Sequence, residues 1–291
     1  MRYLRIGPTA NAQAPRPPLV LIHGLLGYSF SWRHNLAAFA RERTVYAVDL
    51  PGIGYSDRPA PGTLDLSLEA TASRMLEWLS ALGISRVDLL GTSHGGALAM
   101  MMAALAPRQP QEREELIGRL VLAAPVNPWS RAGRFRIALL RTPLGGWMAR
   151  QSARLRRARW IAIRRLYADP AKLTGETFAG YSRMMDIPGT LDYCLAIVKT
   201  WHRDMAQLKP RLESIQLPAL LIWGSLDGAV PPASGRELAA HLKRSELVIM
   251  PGAGHMPYEE APAEFNRLVL KFLDHPNETA APPLDSLPQI V

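Results

Sequence analysis

The chain has 291 residues, 48% apolar and 20% charged, proportions of a globular protein able to bury a sizeable core; at roughly 100–200 residues per domain it makes one large domain or a core with an insertion. Its 34 Lys and Arg against 25 Asp and Glu leave a net charge of +9, and a single cysteine, Cys194, excludes an intrachain disulfide framework and a cysteine metal cluster. No apolar run approaches the ~18 residues that span a bilayer, and the start, Met1-Arg2-Tyr3-Leu4-Arg5-Ile6 followed by a Pro/Ala-rich stretch, lacks the apolar core of a signal peptide, so a soluble, cytoplasmic protein is expected.

In chain order, short runs rich in Leu, Val and Ile occur at 19–22 and 44–48. Runs that are apolar throughout suit strands covered on both faces, as in a parallel sheet with helices on each side. Residues 65–83 carry Leu68, Ala72, Met75, Leu76, Leu79 and Leu82 at 3/4 spacing, with Gly83 as a stop, which predicts an amphipathic helix. A third run at 87–90 leads into 95–106, nearly all Ala, Leu and Met and bounded by Pro107. A helix apolar on every side is a buried one. A fourth run follows at 120–123. Between about 126 and 210 the rhythm stops, and only helical stretches appear, rich in arginine. The strand pattern resumes at 219–223, continues through a helix at 232–242, and ends with a run at 247–250. The expectation is an α/β fold, a doubly wound and mostly parallel sheet, with residues 1–125 and 211–275 as core, 126–210 as an inserted helical cap over the sheet's carboxyl edge, and 276–291 as a loose tail.

The strongest chemical signal is Gly91-Thr92-Ser93-His94-Gly95-Gly96, directly after a strand and before the buried helix. A serine at such a sharp turn is held in a strained conformation that exposes its hydroxyl, and the crowding of strand and helix demands small neighbours. The plainer alternative is a glycine-rich turn carrying an incidental serine. A serine also needs a base, itself oriented by a carboxylate. The expected order for this turn is Ser, then Asp or Glu, then His. Asp227 follows the 219–223 strand, where it also suits a turn or a helix cap; His255, in Gly252-Ala253-Gly254-His255, follows the last strand. His34, His241 and His275 fall in helical or tail contexts and read as solvated, and His202 lies in the cap. Two backbone amides complete an oxyanion hole: Leu25, in the loop His23-Gly24-Leu25-Leu26-Gly27 after the first run, and His94, the residue after the nucleophile. The His23 ring is expected to hydrogen-bond the backbone.

Together these residues resemble the α/β-hydrolase superfamily, in its serine-nucleophile, lid-bearing branch of esterases, lipases, C–C bond hydrolases and non-metal haloperoxidases. The resemblance covers about 19–273. It rests on His23-Gly24-x-x-Gly27, Asp49-x-x-Gly52-x-Gly54-x-Ser56, the elbow, Gly224-x-x-Asp227, and Gly254-His255 followed by Glu260-x-Pro262. It implies that Asp49 is a structural turn residue and that the N-terminal antiparallel strands are abbreviated here. No carboxylate follows the 120–123 run, where some relatives place their acid, which favours Asp227. Relatives that open epoxides or displace halide carry Asp at the elbow, so Ser93 points to attack on a carbonyl.

The expected function is a serine hydrolase that cleaves a carboxylic ester through an acyl-enzyme, with a small-molecule ester or related carbonyl compound as substrate and no cofactor or metal. The alternatives are a C–C bond hydrolase of vinylogous diketones and a low-turnover ligand-binding member of the fold. Trp32, Trp129, Met148, Trp201 and Met256 are candidate substrate-lining residues, and generic core roles suit them as well. Residues 131–172 contain one acid, Asp169, among many arginines interleaved with Trp147, Met148, Leu155, Trp160, Ile161 and Leu166. The plain reading is a lid with its apolar side over the site and its basic side in water. Weak contact with anionic membrane surfaces or attraction of anionic substrates are sharper readings. Nucleic-acid binding is not expected, because no groove-reading motif is present. The oligomeric state is undetermined by sequence.

Overall fold

Successive side chains of a strand point to opposite faces, so a run apolar throughout needs cover on both. The computed structural model, which describes residues 1–8, 16–60, 62–106, 115–130 and 134–274, provides it. The strands are β1 (Tyr3–Ile6), β2 (Leu19–Ile22), β3 (Val45–Val48), β4 (Val87–Thr92), β5 (Ile117–Ala123), β6 (Ala219–Gly224) and β7 (Ser245–Met250). They form one sheet in the order β1-β3-β2-β4-β5-β6-β7, with β1 antiparallel to β3 and the other neighbours parallel. The helices are α1 (Leu36–Phe39), α2 (Leu68–Ala81), α3 (His94–Leu105), α4 (Arg134–Leu140), α5 (Pro143–Arg154), α6 (Arg156–Arg164), α7 (Gly175–Met185), α8 (Thr190–Arg211), α9 (Pro232–His241), α10 (Pro257–Glu260) and α11 (Pro262–Asp274).

Val20, Ile22, Leu89, Leu120, Leu122 and Leu221 face one way and join the buried sides of α2, α3 and α9. Leu19, Leu21, Leu90, Val121, Leu220 and Ile222 face the other way, against Phe39, Phe265, Val269 and Phe272 of α1 and α11. The fold is therefore an α/β, mostly parallel sheet with helices on both faces. Ser67 caps α2, its hydroxyl accepting from the Ala70 amide at 3.3 Å, and Gly83 follows the helix at φ 67°, a conformation glycine adopts without strain. The one antiparallel strand, β1, adds an edge that the apolar runs did not signal, because its residues are half-buried or exposed.

Between β5 and β6 the described chain runs through α4 to α8 without a strand. The helix stop at Pro107, His275 and the tail at 276–291 lie outside the described residues, as do 131–133 at the start of the arginine-rich stretch. No helix among the described residues is long and apolar enough to cross a membrane.

Candidate active site

Parallel strands bring their carboxyl ends to one edge, and the loops leaving β2, β4, β6 and β7 meet there. Between β4 and α3, Ser93 adopts φ 52° and ψ −119°, a left-handed conformation costly for a residue with a side chain. Its amide donates to the Ala123 carbonyl at 3.0 Å, and its carbonyl accepts from Val126 at 3.0 Å and Gly96 at 3.1 Å. The glycines around it are demanded by contact. A Cβ at Gly91 would lie 2.3 Å from the Gly95 carbonyl oxygen, and one at Gly95 would lie 2.3 Å from that of Ile22. One at Gly96 would lie 2.6 Å from Pro125 Cβ.

Asp227 is buried just past β6. Its Oδ1 accepts from the amides of Ala229 at 2.8 Å and Val230 at 2.9 Å, and its Oδ2 accepts from His255 Nδ1 at 2.8 Å. The carboxylate thus both builds its own turn and orients the imidazole. The two loops touch closely, since a Cβ at Gly224 would lie 2.1 Å from the Gly254 carbonyl oxygen. His255 in turn donates its amide to the Leu166 carbonyl at 2.8 Å, and Gly254 donates to Glu260 Oε1 at 2.7 Å.

The β2 loop closes the other side. A Cβ on Gly24 would lie 3.2 Å from Ser93 Cβ, so only glycine lets the loop approach the serine this closely without a shift. His23 is fully buried; its Nδ1 donates to the Gly24 carbonyl at 2.7 Å, and its Nε2 accepts from the Leu50 amide at 3.0 Å. These bonds require the neutral ring protonated at Nδ1, in line with burial, which lowers its pKa. Asp49 is a turn residue whose Oδ1 accepts from the Ser29 amide at 2.7 Å and whose Oδ2 accepts from Tyr55 at 2.9 Å. No hydrogen bond among the described residues takes up the amides of Leu25 or His94. The His94 ring is buried, and its Nδ1 accepts from Trp201 Nε1 at 3.3 Å; burial, with a smaller contribution from His23, lowers its pKa to about 4.

Ser93, His255, Gly24, Leu25 and Met256 share one cavity of about 140 Å³. Its remaining wall includes Leu26, Ser31, Thr92, Ala162, Ile163, Leu166, Tyr181 and Tyr258. Four candidate lining residues lie elsewhere, which corrects the sequence reading. Trp32 is fully buried in the core with its ring 4.9 Å from Tyr258, and Trp201 stands beside His94 outside the cavity wall. Trp129 packs on His241 at 4.2 Å, while Met148 is exposed. The expected orientation of the arginine-rich helices also changes. Trp147, Leu155 and Ile161 face solvent, and the cavity side comes from the smaller stretch Ala162, Ile163 and Leu166.

Sequence reasoning missed a buried cluster behind the cavity. Glu259 takes Arg33 across both oxygens, at 2.8 and 3.0 Å, and accepts from the Tyr167 and Tyr181 hydroxyls. Burial, and then Glu259, push both tyrosines above their usual range. Glu260 Oε2 accepts from the amides of Ala168 at 2.9 Å and Asp169 at 3.3 Å, tying the helical insert to the histidine loop. Only the Glu260-x-Pro262 motif hinted at this, because the partners lie far away in sequence. Among the described residues no three His, Cys, Asp or Glu are grouped so as to hold a metal ion.

The profile of the alpha/beta hydrolase fold matches residues 17–262. A dihydrolipoyllysine-residue acetyltransferase component of the acetoin cleaving system from Pseudomonas putida is 30% identical over 88% of this chain; the match spans 63% of that relative's length. A 2-hydroxy-6-oxononadienedioate/2-hydroxy-6-oxononatrienedioate hydrolase, also from Pseudomonas putida, is 30% identical over 88% of this chain and 87% of its own. The solved structure of a meta-cleavage product hydrolase from Pseudomonas fluorescens IP01 superposes with a TM-score of 0.75, at 22% identity, over 94% of this chain and 93% of that one.

Proposed function

Because the chain belongs to the α/β-hydrolase fold family, we propose that it is a serine hydrolase that cleaves a carboxylic ester through an acyl-enzyme formed on Ser93. The observation that carries this reading is the strained Ser93 in the same cavity as His255, whose other ring nitrogen is held by Asp227. Asp227 fixes the imidazole with Nδ1–H toward the carboxylate and Nε2 free for the serine. His255 takes the Ser93 proton as Oγ attacks the ester carbonyl. The amides of Leu25 and His94 hold the oxyanion of the tetrahedral intermediate. Collapse breaks the bond to the leaving oxygen, which His255 protonates as an alcohol. Water, losing a proton to His255, then attacks the acyl-enzyme, and the acid leaves as Ser93 regains its proton.

A neutral ester fits this cavity better than an acid. No lysine or arginine is in its wall among the described residues, and Arg33 nearby is committed to Glu259 and Thr177. The dienedioate hydrolase among the relatives is named for a diacid, so C–C cleavage of a vinylogous diketone is the second reading. The test is hydrolysis of p-nitrophenyl esters from C2 to C12 by the wild type and Ser93→Ala, with mass spectrometry after fluorophosphonate treatment. Ester turnover that falls about 10⁶-fold in the variant, and one adduct on Ser93, support the proposal. Turnover confined to a dienone ketone moves the assignment to C–C cleavage, and trace activity with saturable ester binding to a low-turnover binder.

A further inference from the structure

We propose that the outer face of α5 and α6 is a docking surface for an anionic lipid bilayer. In α5 and the residue after it, Leu144, Trp147, Met148 and Leu155 follow the i, i+3, i+4, i+11 spacing of one helical stripe. All four are exposed, by 63%, 56%, 47% and 62%. Leu139 of α4 and Ile161 of α6 are exposed as well, by 41% each. A helix whose apolar stripe meets water is unpartnered, and single exposed apolar residues would not line up in this way. The physical reason lies at the inner side of α5, where the buried residues are Gly145 and Gly146. A Cβ at Gly145 would lie 1.9 Å from the Leu139 carbonyl oxygen, so α5 packs on α4 through glycine and turns its large side chains outward.

Charge selects the occupant. Residues 141–165 hold eight arginines and no acid. Arg150 pairs with Asp192 at 2.7 Å and Arg159 with Asp186 at 2.6 Å. Arg141, Arg154, Arg156, Arg157, Arg164 and Arg165 are exposed and have no carboxylate partner among the described residues. An apolar stripe with a tryptophan, flanked by unpaired arginines, is the pattern of a helix lying in the plane of a membrane interface. Its apolar side chains enter the acyl boundary while the guanidinium groups meet lipid phosphates. The same α6 supplies Ala162 and Ile163 to the cavity wall, so the docked face and the cavity share one helix. The proposal does not depend on the chemistry at Ser93.

The test is co-sedimentation of the full chain with vesicles of phosphatidylcholine alone or mixed with phosphatidylglycerol, at about 0.05 and about 0.5 M salt. The wild type should pellet at least tenfold more with the anionic vesicles, and less at the higher salt. Leu144→Ser/Trp147→Ser/Leu155→Ser should lose the anionic binding with its thermal unfolding temperature preserved, and Arg154→Gln/Arg157→Gln should weaken it. Equal pelleting with both vesicle types, no pelleting with either, or a triple variant that pellets like the wild type overturns the proposal. So does a wild type that sediments as a dimer where the triple variant is a monomer, because the face would then be covered by a second copy.

Discussion

Ser93 cannot hold φ 52° through its own preferences; conformations of this kind cost about 1–3 kcal/mol and persist only where neighbours over-determine them. The bonds to Ala123 and Val126, and glycines too crowded to accept a side chain, are that restraint. Gly95→Ala should therefore destabilise by about 1–3 kcal/mol or more through overpacking, read as a fall in the urea midpoint. Gly228→Ala, where an added Cβ meets nothing within 4 Å, serves as the comparison and should leave that midpoint nearly unchanged. His94 makes a second residue-scale prediction. The unfolded chain takes up this proton near 6.5, whereas the folded one, with the ring buried, does so only near 4. The stability this ring provides is complete above about 6.5 and is lost as pH falls toward 4. His94→Asn keeps the backbone amide and should flatten the decline in unfolding free energy between pH 6.5 and 4; an unchanged slope would refute the assignment. Of these residues, Ser93, its glycines and His94 were legible because they are consecutive. The contacts that demand Gly95 and Gly96 were not, since the atoms they would strike belong chiefly to Ile22, His23 and Pro125.

At the scale of elements, the histidine loop after β7 is secured by α10 and by the segment following α6. Glu260 receives the amides of Gly254, Ala168 and Asp169, and Leu166 receives that of His255. Glu260→Ala should free both the loop and the insert, lowering kcat about 10- to 100-fold, as expected when a reacting group is misplaced. Glu260→Gln keeps one accepting oxygen but turns an NH2 donor toward either Gly254 or Ala168 and Asp169, so it should restore only part of kcat; full recovery would show that one side of the carboxylate is dispensable. At the opposite edge of the sheet, where β3 and β4 begin, Arg43 is buried between Asp88, at 3.2 Å, and Asp274 of α11, at 2.7 Å. Arg43→Ala removes the buried partner of Asp88, while Asp274 keeps its ion pair with Arg16, and should cost about 3–5 kcal/mol in denaturant unfolding. The Gly83 stop and the apolar α3 could be read from sequence, since each is a local pattern. The facing of α5 could not, because the glycines that pack on α4 look no different in sequence from glycines of a loop.

For the molecule as a whole, a cavity of about 140 Å³ is smaller than the roughly 300–1,000 Å³ of drug-sized ligand sites. An ester series should accordingly show its highest kcat/KM at short acyl chains, between C2 and C6, and a maximum at C12 would mean that α6 moves aside. The sequence by itself determined the runs that become parallel strands, the order serine, aspartate, histidine along the chain, and the glycines around the carboxyl ends of β2, β4, β6 and β7. These follow from apolar continuity and backbone conformation, which act over a few residues. Only the tertiary structure decided that His255 Nδ1 meets Asp227, that Met256 alone among the five proposed residues lines the cavity, and that the large apolar side chains of α5 face water. Direction and partnership of a side chain are set by packing between segments up to some 230 residues apart, such as Arg33 and Glu259, and no local pattern encodes them.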